Sequence, residues 1–78
     1  MYYVYVLMSE KDHSLYKGYT QNLSERLKQH NQGKSKYTSR KRPWKLVYYE
    51  VFPTEHEALA REKYFKTAAG RRFLKKKL

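Results

Sequence analysis

A single glutamate in the C-terminal half of the chain has the type and position to do chemistry. The stretch ALAREKYFKT places Ala58, Leu59 and Phe65 at helical spacing, which predicts a buried helical stripe. On a wheel that advances about 100° per residue, Glu62 falls between Ala58 and Leu59. An ionised carboxylate on an apolar face must be paired or must coordinate a metal. Two alternatives stay open: an ion pair with a basic residue, or a hard cation such as Mg²⁺.

The other acidic residues have local roles. Glu50 lies in a predicted strand, facing the same way as Tyr48 and Phe52, and could sit at a sheet edge or reach solvent. The remaining acids occupy a predicted hairpin turn or the first turns of predicted helices, where capping and the helix dipole account for them: Glu10, Asp12, Glu25, Glu55 and Glu57. Glu62 alone lies mid-helix on an apolar face with no local role.

Two further candidate side chains lie at helical spacing earlier in the chain. Arg26 and His30 are four residues apart and border the apolar stripe of Leu23 and Leu27. A guanidinium fork matches the oxygens of a phosphate, and an imidazole can donate a hydrogen bond to a phosphate or a leaving group. Each residue alone is more often an ordinary surface residue. A metal at Glu62 could stabilise charge on a phosphodiester, so the set is compatible with phosphodiester cleavage.

The charge balance favours a polyanionic partner. The chain has 18 basic and 7 acidic residues, a formal net charge of +11, and such an excess attracts polyanions. Basic residues cluster in one loop and at the C-terminus: Lys34, Lys36, Arg40, Lys41, Arg42, Arg71, Arg72, Lys75, Lys76 and Lys77. A solvated surface and an anionic membrane are the alternatives, but two clusters with few acids favour nucleic acid. Tyr37, in the loop cluster, could stack on a base, although an exposed loop tyrosine is commoner.

Length and composition bound the class of protein. The 78 residues predict a single domain, residues 1–78, with a small core. There is no cysteine, so disulfides and cysteine–zinc sites are excluded. The stretch MYYVYVLMSEKD is too short and too alternating for a signal peptide, and no apolar run approaches the roughly 20 residues of a membrane span. We expect a soluble, cytoplasmic protein that does not bind a membrane.

Two strands are predicted to form a hairpin that brings two tyrosines together. Residues 2–8, YYVYVLM, and residues 15–20, LYKGYT, are rich in β-branched and aromatic side chains, and the polar turn SEKDHS separates them. If the residue numbers pair around the midpoint of that turn, Tyr5 lies near Tyr16. Such cross-strand pairs are usually packing pairs.

Caps and apolar runs predict the remaining elements. The helix LSERLKQHN follows a capping box that begins at Asn22, and Gly33 can close it. WKLVYYEVF is a third strand, and a second capping box at Thr54 opens the helix that carries the candidate glutamate. Gly70 ends or kinks that helix, and RRFLKKKL is a short basic helix. The order β-β-α-β-α-α predicts an α+β domain with a small sheet flanked by helices.

These motifs together resemble the GIY-YIG nuclease superfamily, most closely its small single-domain members. YVYVL in the first strand, YKG in the second and NLSERLKQH in the first helix carry the resemblance. Six positions match in order and spacing across essentially the whole chain: Tyr5, Tyr16, Gly18, Arg26, His30 and Glu62. The resemblance implies a three-stranded antiparallel sheet flanked by helices, and DNA cleavage with one divalent metal, Mg²⁺ or Mn²⁺.

The resemblance also implies a role for each matched side chain. Tyr16 would take a proton from the attacking water, and Tyr5 would support it by hydrogen bonding. Arg26 and His30 would steady the phosphate, while Glu62 would hold the metal. A tyrosine has a reference pKa near 10, so ionising it at pH 7 costs about 4 kcal/mol. A nearby cation or metal-bound hydroxide must reduce that cost, or the tyrosine only orients the water.

The chain departs from the family pattern at several positions. Tyr3 replaces the leading glycine of the first element, and Lys17 replaces the isoleucine of the second. Strand alternation should point Lys17 away from the face that carries Tyr16. Gly18 would let a backbone or a phosphate come close to the sheet. These departures concern rate and substrate choice more than fold.

The leading hypothesis is a metal-dependent DNA endonuclease, with selection by DNA structure and a role in repair or recombination as extensions. A catalytically inactive nucleic-acid-binding module is the first alternative, but it would not need all five matched polar groups together. A basic protein–protein adaptor is the second, and it leaves Glu62 unexplained. No separate recognition domain is visible, so we expect any sequence specificity to come from a partner protein. The oligomeric state does not follow from the sequence.

Overall fold

The computed structural model describes all residues, 1–78, as one sheet with helices on both of its faces. The elements follow in the order β1 (Tyr2–Ser9), β2 (Leu15–Thr20), α1 (Leu23–Asn31), a 3-10 turn (Ser39–Lys41), β3 (Trp44–Phe52), α2 (Glu55–Phe65) and α3 (Ala68–Lys77). The sheet is antiparallel with strand order β2-β1-β3. The predicted α+β architecture is confirmed. No helix is long and apolar enough to cross a membrane.

The central strand β1 contributes to two separate cores. Val4 and Val6 face α2 and α3, where they pack with Phe65. Tyr5 and Leu7 face the other side of the sheet, where Leu23 and Leu27 of α1 pack against them. Because β1 has a neighbour on each edge and a layer on each face, its apolar run is continuous rather than alternating.

The predicted hairpin is confirmed, and its residues pair around the midpoint of the turn SEKDHS. Tyr5 pairs with Gly18, and Tyr16 pairs with Leu7. β1 extends to Ser9, whose side-chain oxygen accepts hydrogen bonds from the backbone N–H groups of Lys11 and Asp12 in the turn. The predicted proximity of the two tyrosines is still correct, because they are diagonal neighbours with ring centroids 6.3 Å apart.

The predicted start and end of α1 are confirmed. The Asn22 side chain accepts a hydrogen bond from the backbone N–H of Glu25. At the other end, Gly33 has a φ of 78° and donates to the carbonyl of His30, while the next residue, Lys34, donates to the carbonyl of Gln29. This is the Schellman arrangement, which needs a left-handed residue and so favours glycine.

The prediction for Gly70 is wrong. Helix α2 ends at Phe65, and Thr67 caps a new helix by accepting a hydrogen bond from the backbone N–H of Gly70. Gly70 therefore lies in the first turn of α3. A Cβ there would stand 1.9 Å from the carbonyl oxygen of Tyr64, so glycine is required by the close approach of two helices and not by a helix end.

Glu50 has a partner that the sequence did not predict. Its carboxylate accepts two hydrogen bonds from Arg61 of α2, at 2.7 and 3.1 Å, and a third from the Tyr48 hydroxyl. The guanidinium also lies 4.9 Å from the ring centroid of Phe65. The ion pair joins β3 to α2, and it confirms that Glu50 and Tyr48 share a face.

Candidate active site

The centre of the candidate site is the hydroxyl of Tyr5. Its side chain is 1% exposed on the face of β1 that α1 covers. A Cβ at Gly18, on the paired strand, would stand 2.6 Å from the Tyr5 hydroxyl oxygen. Glycine at this position therefore leaves room for the tyrosine hydroxyl, whereas the sequence had suggested room for a backbone or a phosphate.

The Tyr5 hydroxyl is bonded to a buried histidine. Its oxygen lies 3.0 Å from Nε2 of His30, and Nδ1 of His30 lies 2.8 Å from the Thr38 hydroxyl oxygen. That oxygen is also 3.4 Å from the Ser35 carbonyl, which can only accept. Thr38 therefore donates to Ser35 and accepts from Nδ1–H, and Nε2 is left to accept from the Tyr5 hydroxyl.

This arrangement corrects the expectation for His30. Its side chain is 0% exposed and both ring nitrogens have partners inside the protein, so the imidazole does not face a phosphate. Burial, and then the positive charge of Arg26, lower the pKa of His30 to about 4. The ring is therefore neutral at pH 7, and its contact with the candidate site is through the Tyr5 hydroxyl.

Tyr5 itself remains a neutral phenol at pH 7. Burial raises its pKa to about 12, and the negative charges of Tyr16 and Glu62 add to the rise, while hydrogen bonding and charge from Arg26 oppose it. A neutral phenol that donates to His30 keeps its oxygen lone pairs available as acceptors. Arg26, Tyr16 and Glu62 are therefore close enough to this hydroxyl for their charges to affect its pKa.

Tyr16 is the tyrosine with a free hydroxyl. Its ring packs edge-on against His30 at 4.9 Å and lies 6.2 Å from Trp44. The side chain is half-buried, and its hydroxyl makes no hydrogen bond within the protein. The ring is thus held by aromatic packing while the hydroxyl stays available to water or substrate.

Arg26 presents its guanidinium beside the Tyr5 hydroxyl. Its Nη1 donates to the side-chain oxygen of Gln29 at 3.0 Å, which orients the fork. A guanidinium has five N–H donors, so most of them remain free. This geometry can bind a phosphate oxygen next to Tyr5.

Glu62 is turned inward as predicted but is poorly satisfied. Only 15% of its side chain is exposed, and its one ion-pair partner is Lys66, at 3.6 Å, whose side chain is 56% exposed. No hydrogen bond from a protein group reaches the carboxylate, unlike that of Glu50. An ion pair of this length to an exposed lysine contributes little.

The donor set at Glu62 suits a hard divalent cation. No three His, Cys, Asp or Glu side chains stand together in the chain as a ready-made cage. Mg²⁺ is commonly held through one or two carboxylates while it keeps waters and binds substrate phosphates. The carboxylate of Glu62 accepts no hydrogen bond from the protein and is close enough to the Tyr5 hydroxyl to affect its pKa, and it fits that mode of binding.

The predicted nucleic-acid-binding residues occupy several parts of the surface. Lys41 is engaged with Asp12 at 3.3 Å and with the Ser14 hydroxyl, so it is less available than the others. The rest form no ion pair within the protein; the exposed ones are Lys34, Lys36, Arg40, Arg42, Arg71, Arg72, Lys75 and Lys76. Burial lowers the pKa of Lys17, and the positive charges of Arg71 and then Lys66 lower it further.

Thr38 is a site residue that sequence reasoning missed. It is 0% exposed, and its carbonyl accepts a hydrogen bond from the Trp44 indole at 2.8 Å. Asn31 in turn binds both backbone groups of Trp44. A threonine in a basic loop looks like any turn residue, and only its long-range partners distinguish it.

Comparisons with known proteins cover nearly the whole chain. The family model described as the GIY-YIG catalytic domain matches residues 1–77, which include every residue of the candidate site. A UPF0213 protein of Clostridium perfringens is 52% identical over 67 residues, covering 85% of this chain and 71% of that protein. A UPF0213 protein of Staphylococcus haemolyticus is 47% identical over 75 residues, covering 95% and 90%. The solution NMR structure of a UPF0213 protein from Bacillus halodurans superposes with a TM-score of 0.57 at 37% identity, covering 95% of this chain and 82% of that chain.

Proposed function

The chain belongs to the GIY-YIG nuclease family, and from that premise we propose that it is a divalent-metal-dependent endonuclease that hydrolyses phosphodiester bonds in DNA. The observation that carries the proposal is the carboxylate of Glu62. It is mostly buried, it lacks a hydrogen bond, and it lies beside a cluster that can bind phosphate. Mg²⁺ or Mn²⁺ at this carboxylate would supply a positive charge that stabilises the leaving oxygen.

The chain's own residues divide the remaining work. Arg26 binds a non-bridging phosphate oxygen with its free N–H donors. Tyr16 directs the attacking water through its unengaged hydroxyl. After losing its own proton to solvent, the phenolate, stabilised by the local cations, accepts a proton from that water. Tyr5 is held in place by His30 and accepts a hydrogen bond from the water. His30 is a positioning residue in this scheme.

We further propose that substrates are chosen by structure and not by base sequence. The exposed cations bind phosphates, and phosphate contacts carry no sequence information directly. Branched or flapped DNA of the kind formed in repair and recombination is the expected target, and a partner protein would supply any sequence specificity.

A catalytically inactive nucleic-acid-binding module is the second candidate. The observation in its favour is Lys66, whose ammonium group already stands 3.6 Å from Glu62. If that lysine stays in place when DNA binds, it competes with the metal for the same carboxylate.

One matched pair of variants decides between the two. Glu62→Gln keeps the size of the side chain but removes the charged metal ligand, and Glu10→Gln makes the same change in the exposed hairpin turn. We expect wild type and Glu10→Gln to cut branched, flapped, single-stranded or duplex DNA with Mg²⁺ or Mn²⁺. Glu62→Gln should retain DNA binding and lose cutting. Equal cutting by wild type and Glu62→Gln would indicate a contaminating nuclease. The inactive nucleic-acid-binding module would then be the better assignment.

A further inference from the structure

An open pocket lies at the outer edge of β2, next to the candidate active site. Its volume is about 370 Å³, within the range of ligand pockets. Five side chains line it: Leu15, Tyr16, Lys17, Tyr37 and Lys66. Because β2 is an edge strand, successive side chains that point to opposite faces can meet at its free edge. The pocket therefore lies between Tyr16, on the face of the sheet that α1 covers, and Lys66, at the end of α2 on the other face.

One wall of the pocket is the solvent-exposed ring of Tyr37. Tyr37 is 77% exposed, the most exposed large apolar side chain of the chain. Its ring centroid lies 5.9 Å from that of Tyr16, and its hydroxyl makes no hydrogen bond within the protein. An aromatic face in this position can stack on another flat group.

The ring is displayed by a well-anchored segment. The next residue, Thr38, is fully buried, bonded to His30 through its side chain and to Trp44 through its carbonyl. Backbone N–H groups of Thr38 and Ser39 both bond to the carbonyl of Ser35. These anchors fix the backbone on either side of Tyr37, so the exposed ring keeps its place beside the pocket.

The pocket also carries an excess of positive charge. Lys17 and Lys66 both line the pocket, and Arg71 is close enough to Lys17 for its charge to lower the pKa of that lysine. The one acidic partner near this group is Glu62, 3.6 Å from Lys66. Crowded like charges repel one another, and an anion placed between them would relieve the repulsion.

We propose that this pocket binds an unpaired nucleobase stacked on Tyr37, with the adjoining phosphate held by Lys17 and Lys66. The proposal rests on the proposed function only in placing the scissile phosphate beside Tyr16. It names the substrate class as nucleic acid with an unstacked nucleotide next to the cut. A duplex offers phosphates to the lysines but keeps its base faces stacked, so it cannot use the tyrosine.

The test is a comparison of single-stranded and duplex binding at one fixed salt concentration. All variants carry Glu62→Gln so that the DNA stays intact, and binding of a fluorescein-labelled oligonucleotide is followed by anisotropy. Tyr37→Ala should weaken single-strand binding about tenfold, because base stacking on an aromatic ring contributes on that order. Tyr37→Phe keeps the ring, so its single-strand affinity should stay within about twofold of that of the parent protein, which carries Glu62→Gln alone.

The controls separate stacking from a general loss of binding. Tyr49→Ala removes another exposed tyrosine, 50% exposed on β3, and should leave single-strand binding unchanged. The duplex of the same sequence should bind Tyr37→Ala and parent alike. Equal losses for single strand and duplex, or no loss for either, would overturn the proposal.

Failure of the pocket proposal and failure of the nuclease proposal give different results. If the chain without the Glu62 change cuts no DNA but Tyr37→Ala loses single-strand binding selectively, the pocket stands and the nuclease assignment falls. If that chain cuts DNA and the Tyr37→Ala loss is not selective, the pocket proposal falls and the nuclease assignment stands.

Discussion

The hydroxyl of Tyr5 lies 3.0 Å from Nε2 of His30, and both side chains are shielded from water. The histidine is neutral at pH 7 because burial lowers its pKa to about 4, and the tyrosine is neutral because burial raises its pKa to about 12. A neutral donor therefore meets a neutral acceptor. The pair packs against the ring of Tyr16, and in the proposed mechanism Tyr16, whose hydroxyl is free, takes the proton of the attacking water.

Tyr16→Phe tests that division of roles. Its hydroxyl makes no hydrogen bond within the protein, so its removal should change the free energy of unfolding by less than about 0.5 kcal/mol. Cutting should fall by about a hundredfold or more, the usual contribution of proton transfer, with DNA affinity unchanged. Single-turnover cleavage and anisotropy measure the two effects. Cleavage at the wild-type rate would remove Tyr16 from the mechanism.

Thr38→Val should act on catalysis through His30. The substitution leaves Nδ1 of the buried imidazole without a partner, which should cost about 1–3 kcal/mol in the free energy of unfolding. DNA binding should be retained, while the cleavage rate falls because Tyr5 loses its oriented partner. The control is Thr20→Val, whose hydroxyl bonds only to the backbone of Asn22 at the surface. If both variants cleave at the wild-type rate, Thr38 is structural only.

Acid should destabilise the fold through His30. The pKa of its imidazole is about 4 when folded and about 6.5 when unfolded, so between these values the unfolded chain binds more protons. This contribution to stability is complete above about pH 6.5 and is lost as the pH falls toward 4, by up to about 3 kcal/mol. Urea denaturation across this range measures the slope. His30→Gln should remove the contribution of the imidazole to the pH dependence of the unfolding free energy. An unchanged slope in the variant would contradict the prediction.

Gly18→Ala and Gly70→Ala should separate catalysis from stability. At Gly18 the new methyl group meets the Tyr5 hydroxyl at the end of a side chain, so we expect a cost of about 1–3 kcal/mol and a loss of cutting. At Gly70 it meets the backbone of Tyr64, which cannot move aside, so the cost should be about 3 kcal/mol or more. Thermal unfolding measures which of the two substitutions costs more stability. A Gly18→Ala protein that cuts normally would mean that the position of Tyr5 is not critical.

The basic residues of α3 should contribute to DNA affinity through phosphate contacts. Arg72→Ala or Lys76→Ala should weaken binding and lower the slope of log K against log salt by about 1 each. Lys41→Ala is the matched control, since Lys41 is already paired with Asp12, and it should change the slope less. A slope that is the same in all variants would place α3 outside the DNA-binding surface.

The sequence by itself determined the local structure and the short list of candidate groups. The three strands, the span of α1, the caps at Asn22 and Thr54, and the Gly33 helix end follow from patterns within a few residues, because these signals depend on local backbone geometry. The isolated mid-helix position of Glu62 was visible for the same reason. Net charge and the absence of cysteine needed only a count.

Only the tertiary structure decided which groups touch one another. The ion pair between Arg61 and Glu50 joins α2 to β3, and the need for glycine at position 70 depends on the approach of two helices. The buried bond between His30 and Thr38 joins a helix to a loop. None of these contacts leaves a periodic signal in the chain, because each arises where elements distant in sequence pack together. For that reason His30 could be identified from the sequence, but its role as the buried support of Tyr5 could not.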